Sequence, residues 1–214
     1  YIGYPNLVIA DVTTSSIGGD RNMFDISNKF RWHLEKFNYV PYCNVLVSVI
    51  LPIYNAEDTI ELSIQSILNQ TYHNIELIII DDASTDSTLN VVYKTVRELD
   101  NVKVIELKKN MGCYFAKNIG IKISSGKYIT FQDADDISLL NRIELQMKEI
   151  LENKYDIVGS DIIRSNNIIT TLDVSIQDLL YNHKQRFGLI TLLFKKEVFE
   201  INGYFRDDYS HSMD

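Results

Sequence analysis

The chain has 214 residues, 45% hydrophobic and 23% charged, the composition of one sizeable globular domain rather than of a disordered or fibrous chain. Its net charge of −8 argues against a nucleic-acid binder, so a phosphate-bearing ligand would need local help from Lys, Arg, backbone N–H groups or a metal. Two cysteines, Cys43 and Cys113, make neither a disulfide framework nor a zinc spacing, and no apolar run approaches the ~20 residues of a membrane helix.

Taken in chain order, residues 1–45 show no clear strand-and-helix rhythm. Ser15-Ser16-Ile17-Gly18-Gly19-Asp20 is loop-like, and residues 23–37 suit a helix carrying Phe24, Phe30, Trp32 and Phe37. This stretch reads as an arm on the main domain or the end of a preceding module, its aromatic residues serving packing. With no signal peptide in view the protein is expected to be cytoplasmic, and the sequon Asn69-Gln70-Thr71 is read as chance.

From residue 46 the pattern becomes regular. Residues 46–53 form a continuous apolar run of the kind buried on both faces of a parallel sheet, with Pro52 expected at its end because it cannot donate to a ladder. Asn55 is expected to cap a helix striped by Ile60, Ile64, Ile67 and Leu68. A strand over 75–80 and a helix over 86–99 follow, the latter striped by Leu89, Val92 and Val96 and started by Asp86. Strand 102–107, helix 113–124, strand 127–131 and helix 138–152 complete the alternation. That alternation predicts a single doubly wound, mostly parallel sheet flanked by helices, with right-handed crossovers. A strand near 155–160, a hairpin with limbs at 162–164 and 168–171, a strand over 189–194 and a helix over 196–201 ended by Asn202-Gly203 are expected after it.

In open α/β sheets ligands bind beyond the carboxyl ends of the strands. Three polar clusters fall there: Pro52-Ile53-Tyr54-Asn55, Asp81-Asp82-Ala83-Ser84, and Asp133-Ala134-Asp135-Asp136. If the last stretch continues the extended strand, Asp133 and Asp135 face one point. Two carboxylates about 4 Å apart repel by roughly 4 kcal/mol at an effective dielectric near 20, and a cation between them would relieve this. Oxygen ligands of this kind select magnesium, manganese or calcium. The other reading is a solvated turn in which Asp136 or Ser138 caps the next helix, and these four residues alone do not decide. There is no glycine fingerprint after the first strand and no Gly-rich Lys-Ser/Thr phosphate loop, so a dinucleotide fold and a P-loop are both excluded. The same absence argues against a nucleotidyltransferase.

The ordered motifs Val47-Ser-Val-Ile-Leu-Pro-Ile-Tyr-Asn55, Ser66-Ile-Leu-Asn-Gln-Thr71, Asp81-Asp-Ala-Ser-Thr-Asp86, Asn110-Met-Gly112, Ala116-Lys-Asn-Ile-Gly120, Gly126-Lys-Tyr-Ile-Thr-Phe131 and Asp133-Ala-Asp-Asp136 resemble inverting family-2 glycosyltransferases with the A-type nucleotide-sugar fold. The resemblance covers 46–214 and leaves out 1–45. It implies a catalytic domain over 46–214 that continues beyond Asp214, and transfer of a sugar from a nucleoside diphosphate, a UDP-sugar, to a hydroxyl of a glycan, lipid or protein. A divalent cation, Mn2+ or Mg2+, would assist. By resemblance Tyr54 lies against the uracil ring, Pro52 and Asn55 shape its pocket, and Asp82 accepts from the base while Asp81 positions that loop. Asp135 is then the direct metal ligand, with Asp133 beside the ribose or a metal-bound water. Lys117 stands where the family often has Arg, so it is a phosphate point charge or a solvated helix-face lysine. Asn202-Gly203-Tyr204-Phe205 matches the segment before the family's acidic motif, which makes Asp214 the candidate base; His211 is a second phosphate or metal contact or a polar loop residue. The competing class is a non-catalytic module that keeps the fold for binding or assembly.

Overall fold

A computed structural model describes residues 7–10, 45–164 and 188–206. The expected helix over 23–37, the second limb of the hairpin at 168–171, and His211 and Asp214 lie outside the described residues.

The elements in chain order are β1 (Leu7–Ala10), β2 (Val47–Ile53), α1 (Ile60–Leu68), β3 (Ile75–Asp81), α2 (Thr88–Thr95), β4 (Val102–Glu106), α3 (Cys113–Ile123) and β5 (Tyr128–Phe131). After them come β6 (Asp136–Ser138), α4 (Arg142–Asn153), β7 (Ile157–Gly159), β8 (Asp161–Arg164), a 3-10 turn (Leu189–Thr191), β9 (Leu192–Lys195) and α5 (Glu197–Asn202). Six strands form the main sheet in the order β4-β3-β2-β5-β9-β7. The first four in that order run parallel, and β9 is antiparallel to both β5 and β7. The expected mostly parallel α/β sheet is therefore present. The chain winds from β2 out to β4 and then returns to the other side of β2 as β5, which makes the β2/β5 boundary the topological switch point.

All seven residues of β2 and all seven of β3 are buried, because helices cover both faces. Val49, Leu51, Leu77 and Ile79 pack with Ile60, Ile64 and Ile67 of α1, Val92 of α2, and Ile143, Met147 and Ile150 of α4. The alternate residues turn the other way: Ile50 meets Ile121 of α3 and Phe199 of α5, and Ile78 and Ile80 meet Ala116 of α3. Pro52 is tolerated inside a central strand for a geometric reason. Val47 and Ile53 bond toward β3 through Asn74 O and Asp82 N, whereas Ile50 O accepts from Gln132 N on the β5 side. Pro52 faces the β5 side too, beyond the last pair, Ile50 with Phe131, so its missing N–H leaves no gap in the ladder.

Three expectations about local structure are corrected. Asp136 and Ser138 do not cap a helix; they belong to the short strand β6, and α4 starts later, after Asn141. β6 pairs antiparallel with β1, which also pairs parallel with β8, giving a second, three-stranded sheet beside the main one. The limb at 162–164 thus pairs with a strand from the N-terminal region. The stretch 189–194 opens as a 3-10 turn and becomes strand only at Leu192, while Gly203 ends α5 as expected, with φ +85°. Among the described residues no helix is long and apolar enough to cross a membrane.

Candidate nucleotide-binding rim

The carboxyl ends of β2, β3 and β5 lie side by side, and their polar clusters face one rim of the sheet. Pro52 is buried near the end of β2, while Tyr54, just after it, is 48% exposed and so is not the core aromatic residue that its side chain alone would allow. Asn55 does not cap α1, which begins five residues later after Thr59. Its backbone is left-handed (φ +46°), and its side chain is engaged elsewhere: Oδ1 accepts from Thr85 N at 2.8 Å, while its own N–H donates to Ser84 Oγ at 3.0 Å. Asn55 therefore stitches the β2–α1 loop to the β3–α2 loop. Thr88 Oγ1, at the start of α2, accepts from Ala56 N at 2.7 Å and adds to the same seam. Asp86 accepts from Thr88 N at 3.0 Å at the start of α2, although Ser87, not Asp86, occupies the N-cap position expected of it.

Asp81 and Asp82 are almost fully buried at the end of β3. Buried polar groups of this kind need hydrogen-bond donors around them. Asp81 accepts from Ser84 N at 3.1 Å and 3.3 Å, across a turn held by the left-handed Ala83 (φ +64°). Asp82 accepts from Met111 N at one oxygen and from Gly112 N at the other, each at 2.7 Å. Gly112 supplies φ +91° just before α3, where a side chain would be strained.

Beyond β5 the acidic stretch is a turn, closed by Asp136 N donating to Asp133 O at 3.2 Å. The expectation that Asp133 and Asp135 share a face by strand alternation is thereby corrected, because the extended backbone ends at Phe131. Ser63 Oγ of α1 donates to Asp133 O at 2.8 Å. Gln132 spans the turn, its Nε2 donating to Asp136 O at 2.7 Å and its Oε1 accepting from Ser138 Oγ at 2.6 Å. Asp133 pairs with Lys117 of α3 at 3.2 Å, and Asp135 is exposed.

Lys117 is no solvated helix-face lysine: its side chain is 6% exposed. Burial pulls the ammonium's pKa down, but the Asp133 charge and the Cys113 side chain outweigh this and hold it above the ordinary value. Asp136 is pushed up to about 8, by burial first and then by the charges of Asp133 and Asp135. The carboxylates of this turn are oxygen donors of the kind that suits a hard divalent cation. Among the described residues no three His, Cys, Asp or Glu side chains converge on one point.

Two residues at this rim escape sequence reasoning. Arg142, at the start of α4, is fully buried, and Nη1 donates to Ile190 O at 2.6 Å and Thr130 Oγ1 at 3.3 Å. Among the described residues its Nε and Nη2 have no hydrogen-bond partner, and burial lowers its pKa to about 10, leaving it charged at neutral pH. Asn118, next to Lys117, holds Phe205 by both backbone groups: Nδ2 donates to Phe205 O at 2.8 Å, and Phe205 N donates to Oδ1 at 3.0 Å. Asn118 lay inside the quoted Ala116–Gly120 motif, which was a signal; an Arg at the polar start of a helix carries none.

Solved structures share this fold. S. aureus TarS in complex with UDP superposes with a TM-score of 0.59 over 78% of this chain and 52% of its own, at 25% identity. The mannosyltransferase PcManGT from Pyrobaculum calidifontis, in complex with GDP-Man and Mn2+, shares the fold with a TM-score of 0.60 over 86% of this chain and 56% of its own, at 22% identity. Residues 48–210 match the family described as Glycosyl transferase family 2, and the chain belongs to that family. A relative from Escherichia coli is 40% identical over 64% of this chain and carries the name UDP-Glc:alpha-D-GlcNAc-diphosphoundecaprenol beta-1,3-glucosyltransferase WfgD. The chain spans 54% of that relative and 64% of another curated one, from Haemophilus influenzae.

Proposed function

We propose that residues 46–214 are the donor-binding and catalytic domain of an enzyme that transfers a sugar from UDP to an acceptor hydroxyl with inversion, aided by Mn2+ or Mg2+. The observation that carries this reading is the Lys117–Asp133 pair, which joins α3 to the acidic turn at the switch point of the sheet. Tyr54, Pro52, Asn55, Asp81 and Asp82 line the neighbouring strand ends on the same rim. The UDP named with TarS, the GDP-Man and Mn2+ named with PcManGT, and the UDP-Glc in the WfgD name support a nucleotide-sugar donor with a metal. The WfgD name also supports a lipid-diphosphate-linked acceptor.

In this reading Asp135, with Asp133, would hold the cation, whose chemistry when bound is to neutralise charge on the departing diphosphate. Lys117 adds a point charge beside Asp133, fixed by burial rather than by a bidentate fork. Tyr54 orients the nucleoside. Asp214 would take the acceptor's proton as its oxygen attacks the anomeric carbon from the face opposite the diphosphate. One displacement at that carbon inverts it.

Calorimetric titration of UDP with and without Mn2+, on this chain and on Asp135→Ala, tests the proposal. Metal-dependent binding weakened at least about tenfold by Asp135→Ala, some 1.4 kcal/mol, is the expected result. A folded chain that binds no UDP, or binds it equally with and without metal in both forms, overturns the donor and metal assignments respectively.

A further inference from the structure

Residues 48–210 carry the family match, and β1 (Leu7–Ala10) lies outside it. No residue of the donor site belongs to this strand, yet it is wired to the acidic turn. The turn leaves β5 in the main sheet, where Gln132 N donates to Ile50 O at 3.0 Å, and runs into β6 (Asp136–Ser138). Among the described residues β6 pairs with β1 and with no other strand. A strand this short has no stability of its own, so whatever holds it sets where the turn ends.

The bonds of β6 show which residue of β1 does the holding. The register is Val8 with Ser138, Ile9 with Ile137 and Ala10 with Asp136. In an antiparallel pair, alternate residues turn their N–H and C=O toward the partner, and those between turn them away. Asp136 turns away: its N–H donates to Asp133 O at 3.2 Å, and its O accepts from Gln132 Nε2 at 2.7 Å. So does Ser138, whose N–H donates to Ser66 Oγ of α1 at 3.1 Å. Ile137 is left to face β1, and Ile9 exchanges both backbone bonds with it. Val8 and Ala10 therefore turn to the other side, toward β8, in parallel register with Ile162 and Arg164. Ile9 is thus the residue of β1 whose backbone grips the strand that begins directly after Asp135.

We propose that β1 is a positioning strand for the metal end of the donor site. Ile9 holds Ile137, this fixes the far end of the Asp133–Asp136 turn, and the turn presents Asp133 and Asp135 to the cation. The N-terminal strand is then a working part of the donor site and not a separate arm. This rests on the donor and metal reading of the turn, and it adds a residue outside the family match that determines metal affinity.

Calorimetric titrations of UDP with and without Mn2+ measure the gain in affinity that the metal confers, and that gain is the readout. Ile9→Pro removes the N–H that faces β6, whereas Val8→Pro removes one that faces β8 and spares the Ile9–Ile137 pair. Ile9→Pro is expected to leave metal-free UDP affinity within about twofold and to cut the metal gain by about three- to tenfold. Val8→Pro should keep the gain of wild type. A strand that only adds stability would lower the melting temperature in both variants and leave the gain alone. Linkage supplies a second measurement that needs no variant to fold. If β1 supports the metal site, the metal must stabilise β1 in return. Adding Mn2+ to the UDP complex of wild type should therefore slow amide exchange, followed by mass spectrometry, in the peptides carrying Ile9 and Ile137. An unchanged gain in a folded Ile9→Pro, equal losses in the two variants, or exchange at Ile9 indifferent to the metal overturns the inference and leaves the donor reading standing. A wild-type chain that binds UDP no better with Mn2+ overturns the metal reading, and this inference with it.

Discussion

Arg142 and Asp136 sit in the same buried region under the acidic turn, each perturbed mainly by its own burial and only partly offset by the other. A guanidinium whose Nε and Nη2 have no partner among the described residues costs stability, which its oxygen contacts and the Asp136 carboxyl offset in part. Removing it alone leaves Asp136 without its main positive neighbour. Arg142→Met, which also takes the donor from Ile190 O and Thr130 Oγ1, is expected to cost about 1.5–3 kcal/mol in urea unfolding. The double variant with Asp136→Asn should be less destabilised than the sum of the two singles; strict additivity would show that the pair is not coupled. The pH response has a definite sign. Asp136 is raised above its unfolded value, so the folded state binds the proton more tightly. Its contribution is complete in acid and drains away as pH climbs from about 4 toward 8. Asp136→Asn should remove that slope, measured as urea midpoints from pH 5 to 8.

At the scale of elements, α3 brings most of the rim together. Its successive residues Ala116, Lys117, Asn118 and Gly120 are buried or nearly so and face β2, β3, the acidic turn and the segment after α5. Phe205, clamped by Asn118, also packs against Phe131, Phe199 and Tyr114, so the chain leaving α5 is fixed to the helix that carries Lys117. This close approach requires Gly120, since a Cβ there would lie 2.4 Å from Cγ2 of Ile50 in β2. Gly120→Ala must push α3 outward. We expect a loss of about 1–3 kcal/mol together with weaker UDP binding, as Lys117, three residues earlier, moves with the helix. A thermal shift with unchanged UDP affinity would show that the helix relaxes without moving Lys117.

Across the whole molecule the two ends of the sheet have different duties. Glu76, near the start of β3, is 6% exposed and gathers Ser48 Oγ at 2.6 Å, Lys103 Nζ at 2.8 Å, Gly126 N at 3.0 Å, and Ser125 N. It thereby joins β2, β4 and the loop before β5 at the edge opposite the nucleotide rim. Gly126 completes this junction, because a Cβ there would meet Ser48 N at 2.7 Å and Leu46 O at 2.9 Å. Burial alone would raise the Glu76 pKa, but the bonds from Lys103, Ser48 and Ser125 outweigh it and hold the carboxyl below its ordinary value. A depressed carboxylate stabilises the fold above its unfolded pKa, and the contribution is lost as pH falls through the folded value. Glu76→Gln should lower the melting temperature at neutral pH and flatten the acid limb below about pH 4.5. It should leave UDP affinity within about twofold, since Glu76 and Asp81 are five residues apart on a strand, some 16–17 Å. Loss of UDP binding in a folded Glu76→Gln would mean that the two ends are coupled.

The sequence by itself determined the α/β alternation, the doubly buried β2, and the three polar clusters after β2, β3 and β5, because apolar period and strand polarity are local properties that survive without knowledge of partners. It also carried the family through ordered motifs along residues 48–210. Only the tertiary structure decided that Asn55 is a loop stitch, that 133–136 is a turn, and that Asp136 and Ser138 pair with a strand from the N-terminal region. It alone made Lys117 a buried partner of Asp133, sixteen residues on, and Asp82 an anchor for Met111, twenty-nine residues on. The physical reason is the same in each case. Ion pairs and buried hydrogen bonds are set by which segments packing brings within about 3 Å. Periodicity along the chain carries no information about that distance.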